Sequence, residues 1–371
     1  MSKFISKISG FIKKEVVLSI AIVLTTITCV FIPIDAEYLN YFDYSTLICL
    51  FCMLAVVAGL KSTNIFELIS RKMIGLFHTR RTVIYSLVFG TFFFDMIVAN
   101  DMSLITFLPL TYIVLHSTGN DKYLAFTFIM QTIAANMGGM ITPYGNPQNL
   151  YLYSYYNIPT SEFFGILLIQ AITVAVLLYI CVAFIPNEKL KLERNENLII
   201  SKDKLLIYAV LFVLVILGIF RVLPYMLILT IVILTIAITD IKRFKNVDYA
   251  LLATFCVFFI FSGNIARIPA IEEFISNIVI QNTLLAGIVS CQFISNVPTA
   301  IFLSKFTLDY RELLISVNIG SLGILTSSLA SLITLKEFLK HQPQKFLKYL
   351  AMFTVFNTLF LAILLLVTKV T

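Results

Sequence analysis

The chain is short of charge. Asp, Glu, Lys and Arg make up 13% of its 371 residues. A water-soluble domain carries about 25%. Hydrophobic residues make up 59%, and the mean hydropathy is +0.96. Most of this surface must therefore meet lipid or other apolar segments, which excludes a soluble globular protein. Tryptophan is absent, so any interfacial aromatic belt has to use tyrosine. Histidine occurs three times, at His78, His116 and His341. These positions are scattered near expected cytoplasmic ends, and neither a metal set nor a Ser-His-Asp set follows from them. No G-x-x-x-x-G-K-[ST] loop occurs, which speaks against ATP-driven transport by this chain. No nucleophile or acid/base cluster is visible either, so the chain reads as no enzyme and as needing no cofactor, a coupling sodium ion aside.

The length fits about ten spans of roughly 20 residues. Long unbroken apolar runs, such as LLIYAVLFVLVILGIF over 205–220, read as helices. Barrel strands would be shorter and would alternate. The six cysteines, at 29, 49, 52, 181, 256 and 291, all fall in apolar segments. The Cys49–Cys52 pair therefore reads as small buried residues, not as a redox or zinc motif. No removable signal peptide is expected. The first apolar run follows four lysines, lacks a small-residue cleavage site and reads as a retained span.

Spans are expected near 16–33, 44–60, 162–186, 205–220, 222–239, 248–264 and 349–368. Four further segments behave differently. Residues 82–98 and 101–115 form apolar arms joined at Ala99-Asn100-Asp101. Residues 284–294 and 298–308 form shorter arms joined at Ser295-Asn296-Val297. Segments 123–156 and 313–335 are apolar at their ends and rich in Gly, Asn, Ser, Thr or Pro at their centres. Amphipathic connectors, 61–81 and 265–282, precede the two arm pairs.

The net charge is +7, with basic residues in short loops. This is the positive-inside bias, not a nucleic-acid surface. A cytoplasmic N-terminus with Lys3, Lys7, Lys13 and Lys14 puts 22 of the 27 bases inside. The second half then runs upside down relative to the first. The fold class is an all-α polytopic membrane protein of two inverted repeats, each with a re-entrant hairpin and a broken transmembrane helix. The first repeat spans 1–186, with hairpin 82–115 and broken helix 123–156. A cytoplasmic linker and one connecting span fill 187–221. The second repeat spans 222–371, with hairpin 284–308 and broken helix 313–335. Residue types repeat as well: Asn136-Met137-Gly138-Gly139 matches Asn318-Ile319-Gly320-Ser321 at an offset of 182.

The stretch NMGGMITPYGNPQNL, from Asn136 to Leu150, cannot stay helical through Gly138-Gly139, Pro143, Gly145 and Pro147. Unpaired backbone facing lipid costs several kcal/mol per group, so this stretch must be buried or line a wet cavity. There, carbonyls can hold a cation and half-helix N-termini an anion. Candidate substrate ligands are Asn100, Asn146, Gln148, Asn149, Ser295, Asn296, Thr299, Ser327 and Ser328. Candidates for cation or proton coupling are Asp101, Ser103, Asn136, Gly138, Gly139, Thr142, Asn318, Gly320 and Ser321. Asp101 is an ionisable group deep in an apolar run, although Asn100 or Asp101 also suits a helix cap. Asp95 reads as locally paired, and Lys305 as snorkelling outward.

The motifs NDMSLITFLPLT (100–111), NMGGMITPYGNPQNL, SNVPTAIFLS (295–304) and VNIGSLGILTSSLASL (317–332) resemble those of the ion transporter superfamily. That group holds arsenite permeases, sodium/proton antiporters and divalent-anion:sodium symporters. The resemblance implies an elevator transporter, a homodimer, in the plasma membrane. In symporter relatives the tips read Ser-Asn-Thr. Asn100 and Ser295-Asn296 keep part of that pattern; Ala99, Asp101 and Val297 depart from it. The expected function is sodium- or proton-coupled transport of a small anion or oxyanion. Sodium/proton antiport or arsenite efflux is the alternative, and an ion channel is the alternative from another class.

Overall fold

A computed structural model describes residues 15–190 and 201–370. The four N-terminal lysines, the centre of the expected inner loop at 191–200 and Thr371 lie outside the described residues.

The described chain is α-helical. α1 (Val16–Phe31) and α2 (Tyr44–Lys61) are followed by a short amphipathic helix, α3 (Ile65–Gly75). α4 (Arg80–Asp95) and α5 (Asn100–Ser117) form the first hairpin. α6 (Leu124–Gly138) and α7 (Pro147–Tyr155) are the halves of the first interrupted segment. α8 (Thr160–Ala183), α9 (Lys202–Ile219), α10 (Tyr225–Asp240) and α11 (Tyr249–Ala266) follow. α12 (Pro269–Gln281) turns by 117° into α13 (Thr283–Ile294), which pairs with α14 (Asn296–Leu303) as the second hairpin. α15 (Tyr310–Ile319) and α16 (Leu329–His341) are the halves of the second interrupted segment, and α17 (Phe346–Val370) ends the described chain.

Among the described residues, six helices are long and apolar enough to cross a membrane, or up to seven if the bent pair counts as one. α9 is long enough, but it opens with Lys202, Asp203 and Lys204. Every expected span is a helix, with ends within three residues of the expected ones.

Three local differences have physical reasons. First, helix does not stop at Gly138-Gly139. It runs to Gly138 and tightens into a 3-10 turn over Gly139–Ile141, because both glycines keep right-handed helical angles. The interruption falls at 142–146, where Thr142 and Asn146 are extended and Pro147 starts the new helix. Second, the first tip turns at 96–99, so Asn100 and Asp101 already belong to α5. Third, only Ser295, at φ 73°, separates α13 from α14, so Asn296 and Val297 are helical.

Contacts define two ends of the bundle. At one, Arg80 pairs with Glu188 at 2.7 Å and Gln342 donates to the Asp121 carbonyl at 3.3 Å. At the other, Tyr156 donates to the carbonyls of Ser304 and Thr307, and Arg311 pairs with Glu162. α6–α7 runs from the first end to the second, and α15–α16 runs back. The first hairpin opens at the first end and the second hairpin at the second.

The packing repeats in the same way. α4 lies on α6 as α13 lies on α15. Each outgoing arm then crosses to the other half, α5 against α16 and α14 against α7. α1 packs on α11 as α10 packs on α2. Of the candidate spans, Asp121–Ile141 in the first interrupted segment is the most enclosed, with 83% of its apolar window buried. α10 and α17 present broad apolar faces outward, at 17% and 22% buried.

Candidate functional site

The two interruptions meet. Asn318, in the last turn of α15, donates from Nδ2 to Oδ1 of Asn149 at 2.7 Å, and Gln148 Nε2 lies 3.5 Å from Asn318 Oδ1. Asn149 also donates to the carbonyls of Gly139, Met140 and Thr142, at 3.2 to 3.4 Å. One amide thus closes the backbone that the 3-10 turn leaves open and carries the contact between halves. Asn146 Nδ2 donates to the Asn136 carbonyl at 3.2 Å.

Several polar atoms here are buried without a protein partner. They are both side-chain atoms of Asn136, Oδ1 of Asn146, Oε1 of Gln148 and Oδ1 of Asp101. Native interiors rarely leave such atoms unpaired. Four of these five are acceptor oxygens, the chemistry that a cation or a ligand donor requires.

Each tip is tied to the interruption of its own half. Thr142 Oγ1 donates to the Met96 carbonyl at 2.9 Å, and Ser295 Oγ reaches the Ser327 carbonyl at 3.4 Å. Both tip asparagines fold back in the same way. Asn100 Oδ1 accepts from the Asp101 amide at 2.9 Å, and Asn296 Oδ1 from the Val297 amide at 3.0 Å. This leaves their Nδ2 groups as the free donors at two helix N-termini.

The serines of the second interruption are mostly self-satisfied. Ser321 donates to the Asn318 carbonyl at 2.6 Å, and Ser327 to those of Ser321 and Ile324. Thr299 donates back to the Ser295 carbonyl at 2.7 Å. Ser328 caps α16 by accepting from the Ser331 amide at 3.2 Å. The hydroxyls of Ser321, Ser327 and Thr299 can still accept, but as donors they are committed to the fold.

Two residues outside the sequence-derived set hold the site together. Asp95, fully buried, accepts from the Gly139 amide at 2.6 Å and from Ser103 Oγ at 3.1 Å. It is paired across the fold, not locally, because the α4–α6 packing brings its carboxylate onto the 3-10 turn. Gln292 of α13 takes the same part in the second half. It donates to the carbonyls of Gly320 and Leu322 at 2.9 and 3.1 Å and accepts from the Ile324 amide at 3.1 Å. The sequence signal was a polar residue one turn before each tip asparagine. Close approach explains the glycines. A Cβ at Gly138 would strike the Phe92 carbonyl, and one at Gly139 would strike Asp95 Oδ2 and sit 2.6 Å from Asn146 Oδ1.

The histidines are not all apart. His116 and His341 both stack on the Tyr112 ring, with ring centroids at 5.1 and 3.5 Å, and the His341 contact joins α5 to α16. The six cysteines are free, and Cys49, Cys52 and Cys291 are buried.

This is a multi-pass α-helical membrane protein whose two interrupted helices run in opposite directions and touch where they break. More particularly, the chain belongs to the citrate transporter family, whose profile matches residues 8–320. It is 32% identical over 313 residues to an uncharacterized transporter of Methanocaldococcus jannaschii, covering 81% of this chain and 82% of that one. It is 25% identical over 298 residues to the inner membrane protein YbiR of Escherichia coli, covering 79% and 80%. The chain is accordingly a membrane transporter.

Proposed function

We propose that this transporter moves a small anion or oxyanion by alternating access, coupled to sodium or protons. One observation carries the reading. The Asn149–Asn318 contact joins two helix interruptions amid buried acceptors that no protein group satisfies. Leaving each unpaired costs about 1–3 kcal/mol, so a bound solute relieves a demand built into the fold. The N-termini of α5 and α14, with the Asn100 and Asn296 amides, hold the anion. Oxygens from Asp95, Asn136 and Asn146 and the carbonyls about Gly139 and Gly320 suit a sodium ion. Asp101, with one oxygen free of partners, couples cation or proton to anion.

On this reading, residues 1–186 and 222–371 are inverted repeats, the N-terminus is cytoplasmic, and the membrane is the plasma membrane. The hairpins and interrupted helices slide together against the remaining spans, and two chains pair as a homodimer. The opposed directions of α6–α7 and α15–α16 support the inversion. Sodium/proton antiport is a second reading, favoured by the two carboxylates, Asp95 and Asp101, on one hairpin.

The test is a thermal-shift screen of purified protein against citrate, succinate, phosphate and arsenite, with and without sodium and across pH. An anion at 100 times its Kd adds about 2.7 kcal/mol. At least one anion should raise Tm, and Asp101→Asn should alter the sodium or pH dependence of flux in proteoliposomes. No shift with any solute, together with normal flux in Asp101→Asn, would end the reading. Sodium-driven proton flux without any anion would select antiport.

A further inference from the structure

A cavity of about 640 Å³, lined by neither Asn149 nor Asn318, lies at the end of the bundle that carries loop 32–43. Its walls come from that loop, the start of α2, α7 and the α9–α10 turn, and Lys305 lies on its rim. It reaches along α7 to Leu150, the residue after Asn149.

The charges around it do not cancel. Asp43, its one carboxylate, is committed: it accepts from the Thr46 amide and from the hydroxyls of Ser45 and Thr46 at the start of α2. Among the described residues Arg221 bonds only to neutral groups, the carbonyls of Tyr153 and Ile158, and stacks on the Tyr153 ring. Its charge is therefore not neutralised. Lys305, at the end of α14, has its ammonium over the Tyr155 ring at 4.8 Å. The carboxylate that acts on it is Asp43, through space and without an ion-pair contact. Two cations against one carboxylate leave a net charge of +1 on the lining. Low-dielectric walls focus such a field into the cavity. The volume suits a small organic or inorganic anion.

We propose that this cavity is a recruitment site for small multivalent oxyanions, held by Lys305 and Arg221 and distinct from the contact between the interrupted helices. It rests on the transporter reading only for its place on the anion's route; the binding itself stands apart from it.

The experiment measures local potential and occupancy without any transport. In a chain whose native cysteines are replaced by alanine, Ser154→Cys, or Asn40→Cys should the first not fold, puts a thiol on the cavity wall. The purified protein in neutral detergent is labelled with anionic and cationic methanethiosulfonates. The anionic reagent should react faster, relative to its rate on a free thiol, by roughly threefold or more. Lys305→Gln should bring that ratio down, and Lys305→Arg should keep it. Millimolar citrate or phosphate should slow labelling in the parent and not in Lys305→Gln. An unchanged ratio in Lys305→Gln, or no protection by either probe, overturns the proposal. So does protection by added phosphatidylglycerol alone, which would make the occupant a lipid headgroup. A failed thermal-shift screen with positive labelling would sink the transport reading and leave this site standing.

Discussion

Asp95 shows how much one buried side chain carries. Its two oxygens answer the Gly139 amide and the Ser103 hydroxyl, tying the first hairpin to the 3-10 turn. In Asp95→Asn one oxygen becomes an NH2 group facing a donor. Leaving a buried donor or acceptor unpaired costs about 1–3 kcal/mol. Asp95→Asn should therefore destabilise by about 2 kcal/mol in thermal unfolding and weaken the sodium or proton dependence of flux. Gly138 makes a sharper test, because its Cβ would meet backbone, the Phe92 carbonyl, which cannot rotate away. Gly138→Ala should cost about 1–3 kcal/mol by overpacking. Gly75→Ala, with open space around it, should leave Tm within about 2 °C of the parent or raise it slightly.

At the scale of elements, stability depends on how helix ends are closed. Ser328 satisfies the first turn of α16 through the Ser331 amide. Ser328→Ala should cost about 0.5–2 kcal/mol, while Ser328→Asp should restore most of it, as measured by unfolding. At the opposite end of the bundle, Arg267 at the close of α11 holds loop 32–43 through Asp35 at 2.6 Å and Tyr41 at 2.9 Å. The Arg267 guanidinium keeps the Asp35 carboxyl below its usual 3.8. A lowered carboxyl stabilises the fold above its unfolded value, and that contribution is lost as pH falls through the folded value. The tie should thus hold from neutral pH to about 4 and release below, read as proteolytic nicking of loop 32–43. Asp35→Asn should nick at every pH and lose the acid step.

Across the whole molecule, the two halves are joined by helix packing and also directly at their interruptions. The Asn149–Asn318 hydrogen bond, with the longer Gln148–Asn318 contact beside it, links the two interruptions directly. Residues that touch in this way couple by about 0.5–3 kcal/mol in a double-mutant cycle. Asn149→Ala and Asn318→Ala should together cost less than the sum of their separate costs. Strict additivity, within about 0.3 kcal/mol, would mean that the contact carries no coupling.

Composition and hydropathy determined that this chain is a helical membrane protein, because only closed backbone survives in lipid. The cluster of Gly, Pro and amides located the first interruption, since so many breakers together leave too many helix hydrogen bonds unmade, and the repeat located the second. The shared Asn136 and Asn318 patterns marked the repeat. Tertiary structure decided the rest. Whether Asp95 pairs locally or across the fold depends on which helix α4 packs against, and spacing along the chain carries no such information. The same holds for Gln292, for the stacking of His341 on Tyr112, and for Lys305, which faces a cavity that exists only between elements distant in sequence. The point where α6 breaks also escaped the sequence: glycine permits a turn without forcing one, and it was the backbone partners at Asp95 and Asn149 that let the helix run past Gly138.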